Sequence, residues 1–217
     1  MYVGLKMLTD VATVTPKTSL MDAHDLMEKK MLWMIPVVHG KKLAGYLKKE
    51  DVRAALPSPA TMLSKHEIPS IIEKTTVKDF MQKDIITVRP ETEIETAAEI
   101  MFNEHQPGLA VVDASGRLVG YIDRTIMLEV LVEEMGLRRG GKRFAIEFTD
   151  RPGVMAEVSN VISDMGINFV SAASFYHNSS CILVFRVETD DLSPVIEALK
   201  ERKFNIVGPE HFADEWS

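Results

Sequence analysis

Thr13-Val14-Thr15-Pro16-Lys17-Thr18 returns as Thr87-Val88-Arg89-Pro90-Glu91-Thr92, a shift of 74 positions. The same shift carries Met7 to Met81, Asp10 to Asp84, Ala23 to Ala97, Met27 to Met101 and Val37-Val38 to Val111-Val112. After a one-residue insertion the shift is 75 and takes Leu43 to Leu118, Gly45 to Gly120 and Tyr46 to Tyr121, as an extra residue in a hairpin turn would produce. The first 130 or so residues are therefore one unit written twice. A repeat that stops at two copies implies a facing, pseudo-symmetric pair with clefts between its members, because a solenoid needs at least three.

Each copy reads as strand, helix, strand, strand, helix. Val11 to Thr15 is a β-rich stretch stopped by Pro16, and Thr18 or Ser19 caps a helix with the apolar stripe Leu20, Ala23, Leu26 and Met27. Ile35 to Val38 and Leu43 to Leu47 are strands around a turn at His39-Gly40-Lys41-Lys42; Leu109 to Asp113 and Leu118 to Ile122 repeat them. Between the copies, Met62 to Lys74 suggests a connecting helix started or kinked by Pro69.

Composition narrows the function. The 217 residues, enough for about two domains, are 46% hydrophobic, with 32 acidic against 25 basic side chains and a net charge of −7. That balance argues against nucleic-acid and anionic-membrane binding, which need a basic face. The single Cys181 excludes an intrachain disulfide, and no apolar run approaches the roughly 20 residues of a membrane span, so the cytoplasm is the expected address. The six histidines are scattered without metal-ligand spacing, and no phosphate-binding Gly-Lys loop or Gly-x-Ser-x-Gly elbow occurs. An enzyme is not expected.

The Thr-Val-x-Pro-x-Thr stretch, the Pro36-Val37-Val38 strand and the glycine-led Gly45 and Gly120 strands resemble the cystathionine-β-synthase (CBS) domain in tandem, the arrangement called a Bateman module. The resemblance implies adenine-nucleotide clefts, with AMP, ATP or S-adenosylmethionine as ligand and no catalytic cofactor. Carried onto this sequence, it places the base against Val11, Ala12 and Thr13, with Ile35 and Pro36 as the wall, Asp51 on the ribose and Lys48 on the phosphate. Lys48 stands where that family has a hydroxyl residue; a lysine can still meet phosphate as a point charge. In the second copy Asp123 replaces the hydroxyl and Ile126 the ribose-binding aspartate, so loss of nucleotide binding is expected there. The alternative is that these residues are helix caps in a dimerisation module.

After Glu134, Gly136-Leu137-Arg138-Arg139-Gly140-Gly141-Lys142 reads as a flexible linker, and a different alternation begins at Arg143. Strand, turn, helix, long strand, hairpin at His177-Asn178-Ser179-Ser180, strand, helix and Asn205-Ile206-Val207 give a βαββαβ unit. With Asp150-Arg151-Pro152-Gly153-Val154 before the first helix and Gly166-Ile167-Asn168 opening the second strand, it resembles the ACT domain. That likeness implies sheet-edge dimers and an amino-acid site at this loop, with Asp150, Gly153 and Asn168 as its centre and Arg151, Pro152 and Val154 completing the loop. The alternative is a tight Pro-Gly turn at a helix start.

The expected fold is thus α+β: a CBS domain with connecting helix over 1–75, a second over 76–135, a ferredoxin-like ACT domain over 142–209 and a fraying acidic tail over 210–217. That order resembles the bacterial acetoin-utilisation B-type family. It implies a homodimeric regulator that acts on a partner enzyme in response to an adenine nucleotide and an amino acid; the competing reading is a structural dimerisation adaptor with vestigial sites.

Overall fold

Ser19 opens the first helix as a cap, its hydroxyl accepting the Asp22 amide at 3.0 Å. In the computed structural model, which describes residues 1–55 and 75–215, this helix is α1 (Leu20–Lys29). It buries Leu20, Ala23 and Met27 against the antiparallel hairpin β1 (Met34–His39) and β2 (Lys42–Lys48), which leads into α2 (Lys49–Ala55). The second copy repeats this with β3 (Thr87–Val88), α3 (Ile94–Asn103), β4 (Gly108–Val112), β5 (Leu118–Asp123) and α4 (Arg124–Glu134). Even the bulges correspond, at Val37/Val38 and Val111/Val112. The expected first strand is shorter than read: in copy one it is the single parallel bridge Val14 to Val37, and in copy two the two residues of β3 beside Ala110 and Val111. The expected helix over Met62 to Lys74 lies outside the described residues.

The copies exchange their leading segments. Val3 and Gly4 donate amides to the carbonyls of Thr92 and Pro90, and Val77 and Lys78 do the same to Thr18 and Pro16. Leu8 then bridges Tyr121 and Gln82 bridges Tyr46, each pair trading both amide bonds at 2.8–3.0 Å. This close approach explains two glycines. A Cβ on Gly45 would sit 2.6 Å from the Gln82 carbonyl oxygen, and one on Gly120 would sit 2.4 Å from the Met7 sulfur. Where the copies meet, Met34, Tyr46 and Tyr121 form a small core with Val11, Leu32 and Ile85 against it.

The chain divides into two units, Met1–Leu128 and Glu129–Ser217. In the second, β6 (Lys142–Phe148), α5 (Val154–Asp164), β7 (Phe169–His177), β8 (Ser180–Val187), α6 (Ser193–Glu201) and β9 (Asn205–Val207) form the expected βαββαβ order, with strands arranged β7-β8-β6-β9. The core lies between one sheet face and the two helices: Phe144, Ile146 and Phe185 meet Val158, Ile162, Val195 and Leu199, with the Phe144 and Phe185 rings stacked at 5.4 Å.

Two segments expected to be loose form turns and make contacts over their described residues. Leu137–Arg139 is a 3₁₀ turn entered through Gly136, Arg138 pairs with Glu129 at 3.0 Å, and the Arg186 guanidinium donates to the Gly141 carbonyl at 3.2 Å. The tail forms a 3₁₀ turn, Pro209–Glu215, that sets Phe212 on the sheet face opposite the helices, edge-on to His177 at 5.2 Å. Both follow from that open face: Ala145, Ile182, Val184 and Val207 are buried there because Met135 and Phe212 cover them. Among the described residues no helix is long and apolar enough to cross a membrane.

Candidate functional site

A cavity of about 410 Å³ lies at the first copy, within the range of small-molecule sites. Val11, Ala12 and Pro36 line it, so the structure brings together two of the residues expected against a base and one of the two expected as the wall. Thr9, Asp10 and Lys30 add a hydroxyl, a carboxylate and an ammonium, and Tyr121 of the second copy closes it, carried there by the segment exchange. Thr13 is not among the lining residues, and Ile35 is fully buried in the core of copy one.

Lys48 and Asp51 stand elsewhere. Lys48 lines a larger cavity of about 840 Å³ with Trp33, Glu50, Arg53, His105 and Arg124. Asp51 lines an open depression of about 480 Å³ with Asp79, Phe80 and Gln82. The exchange explains the separation: β2 is bonded to the Gln82 segment, so the helix after β2 is presented to the second copy's leading segment rather than to its own.

There Asp51 belongs to a polar chain. Tyr46 donates its hydroxyl to Gln82 Oε1 at 2.8 Å, Gln82 Nε2 donates to Asp51 Oδ2 at 2.7 Å, and Gln106 Nε2 approaches the Tyr46 hydroxyl at 3.5 Å. Gln106 is only 8% exposed, and its Oε1 has no hydrogen-bond partner. Gln82 and Gln106 were missed in the sequence, although the repeat carried a signal: they occupy the positions of Leu8 and Leu32, polar groups where the first copy is apolar.

The pseudo-equivalent positions in copy two are built differently. Asp123, 6% exposed, accepts the Ile126 amide at 3.0 Å and so caps α4. Ile126 is buried, and the fully buried Tyr121 hydroxyl has no partner; burial, with the Asp123 charge adding to it, pushes that phenol well above its ordinary value.

In the second unit, Gly153 has φ +92° and starts α5, its carbonyl accepting the Glu157 amide. Asp150 accepts the Tyr176 hydroxyl at 2.6 Å, a bond that raises the phenol's pKa. Arg151 forms a two-pronged pair with Glu157, at 2.6 and 2.8 Å, which lowers the glutamate and raises the guanidinium. Pro152 is exposed in the turn and Val154 points into the core. Asn168 instead donates to Glu188 at 3.3 Å. Since Asp150 meets Tyr176 near the far end of β7, and Asn168 precedes its first residue, the two stand roughly 25 Å apart along one chain. A single chain therefore does not bring them together.

A family model described as the CBS domain matches residues 3–58 and 77–133, more than half of the 217 residues. The chain belongs to the CBS-domain family. Residues 146–204 match the ACT domain model, so a CBS pair is followed by an ACT domain. Inosine-5′-monophosphate dehydrogenase of Korarchaeum cryptofilum is 29% identical over 87% of this chain and 37% of its own length. The chain spans about a fifth to two fifths of the dehydrogenases of this kind that it matches. Among solved structures, the CBS-pair protein CBSX2 of Arabidopsis thaliana is 27% identical with TM-score 0.50, over 64% of this chain and 98% of that one. A Vibrio cholerae protein provisionally assigned to acetoin utilization shares the fold at TM-score 0.53 and 24% identity, over 65% and 98%. A CBS domain pair in complex with 5′-methylthioadenosine and S-adenosyl-L-methionine does so at 0.50 and 21%, over 60% and 99%.

Proposed function

We propose that this chain is a ligand-sensing regulator without chemistry of its own, whose CBS pair binds an adenosine-bearing ligand such as AMP, ATP or S-adenosylmethionine. The observation that carries this reading is the 410 Å³ cavity, where Val11, Ala12 and Pro36 offer a base its wall and main chain while Asp10, Thr9 and Lys30 offer ribose and phosphate their partners. A fold relative complexed with adenosyl ligands supports it. In the same proposal the ACT domains of two protomers pair, an amino acid binds at the Asp150 to Val154 loop with the partner subunit supplying what one chain separates, and the cytoplasmic homodimer alters a partner enzyme, with acetoin utilization the setting suggested by the Vibrio relative. One observation favours the adaptor reading instead: Asp51 is already satisfied by Gln82, so it serves structure with no ligand present.

Calorimetric titration of the full chain with AMP, ATP and S-adenosylmethionine tests the proposal. One site per chain is expected, weakened about tenfold or more in Asp10→Ala, the loss of one charged hydrogen bond, and unchanged in Asp51→Ala. Weakening by Asp51→Ala alone would move the site to the second copy's cleft; no binding by any of the three leaves the adaptor.

A further inference from the structure

Arg143 on β6 and Arg186 on β8 are register partners, directly opposite across an antiparallel ladder. Like charges so placed repel one another. Neither is relieved by an acid: Arg186 donates only to neutral carbonyls, those of Met135 at 3.1 Å and Gly141 at 3.2 Å, and Arg143 has no ion pair among the described residues. Both arginine side chains line a cavity of about 210 Å³ on the sheet face opposite the helices, together with the apolar Leu131, Val132, Met135, Leu137 and Val184. The remaining lining residue, Ser171, has its hydroxyl committed to the Met135 carbonyl at 2.9 Å, and no carboxylate lines the space.

We propose that this cavity binds a small aliphatic monocarboxylate. A carboxylate between the two arginines offsets the repulsion that the fold otherwise leaves, and the Arg143 guanidinium can donate two parallel hydrogen bonds to it. The interior takes a hydrocarbon body. At about 30 Å³ for each water-sized group, the volume suits a ligand of about seven non-hydrogen atoms, the size of 3-methylbutanoate. An amino acid of similar shape fits poorly, because its ammonium would enter a space with no acid and with its carbonyl acceptors already used. This site is therefore separate in place and in chemistry from the Asp150 loop, and it stands whether or not that loop binds amino acids.

Methyl-detected NMR on the full chain tests it, with 3-methylbutanoate, leucine and 3-methylbutanamide as probes. The carboxylate should shift the Val132, Met135 and Val184 methyl signals saturably, and the amide and leucine should not. Arg143→Gln, an exposed change that leaves the fold intact, should weaken the carboxylate about tenfold or more, the equivalent of one charge-assisted hydrogen bond. No saturable shift at millimolar carboxylate, an equal response to leucine, or unchanged affinity in Arg143→Gln would overturn the assignment. So would Leu131→Glu abolishing self-association while wild-type protein ignores the carboxylate, since the face would then be covered by a second copy.

Discussion

The two CBS copies share helices, hairpins, bulges and segment exchange, yet they place polarity oppositely. In copy one Glu28 joins Arg53 at 2.7 Å and Lys49 at 2.9 Å, and Lys49 lies 5.6 Å over the Trp33 ring. The corresponding positions in copy two are Phe102 and Leu128, 78% and 64% exposed, with Arg124 in place of Lys49. At the junction the order reverses: Gln82, Gln106 and Asp51 make a hydrogen-bonded chain where their counterparts Leu8, Leu32 and Ile126 are apolar. The two copies keep one backbone arrangement and differ at the junction, one side holding a ligand-sized cavity and the other a hydrogen-bonded polar chain.

The glycines at the exchange break this comparison most sharply. Gly45→Ala meets the Gln82 backbone oxygen at 2.6 Å, which cannot move aside, whereas Gly120→Ala meets first the flexible Met7 side chain, with the Leu8 backbone oxygen farther off at 3.2 Å. The first should cost about 1–3 kcal/mol and the second less than about 1, read as the difference between their urea midpoints. Equal losses would mean that both segments yield alike. The tyrosines give a smaller contrast. Tyr46→Phe leaves the half-buried Gln82 Oε1 without its donor and should cost roughly 1 kcal/mol, while Tyr121→Phe removes a hydroxyl without a partner and should be neutral or stabilising in thermal melts. The smallest effect is expected at Glu28. Its bonds to Lys49 and then Arg53 hold its carboxyl below the usual value, so the stability they give is present above the unfolded-state pKa and is lost as pH falls through the folded one. Glu28→Gln should lower the melting point slightly at neutral pH and not at all in acid; Phe102→Leu should show no such pH dependence.

The repeat and the βαββαβ order were legible because they rest on apolar periodicity and turn residues, which act locally. The boundaries of the clefts were not. Lys48 and Asp51 lie in the same copy as Val11 and Pro36, and only the exchange, a pairing between residues more than thirty-five positions apart at Tyr46 and Gln82, assigns them to different cavities. Ile35 was misplaced for a simpler reason: β1 alternates, and a residue beside Pro36 faces the other side. The tail and linker looked loose because their composition is polar and glycine-rich, but Phe212, Arg138 and Gly141 each meet the second unit's sheet or helix.

Because each copy completes the other's edge, half of this module is a fragment with one vacant berth and one spare key. A single copy released from its twin could meet both needs only by finding another of its kind, and two such halves would reassemble in trans the interface that the intact chain makes in cis. The doubled chain thus holds, in one polypeptide and at fixed one-to-one ratio, what separate copies would reach only by mass action.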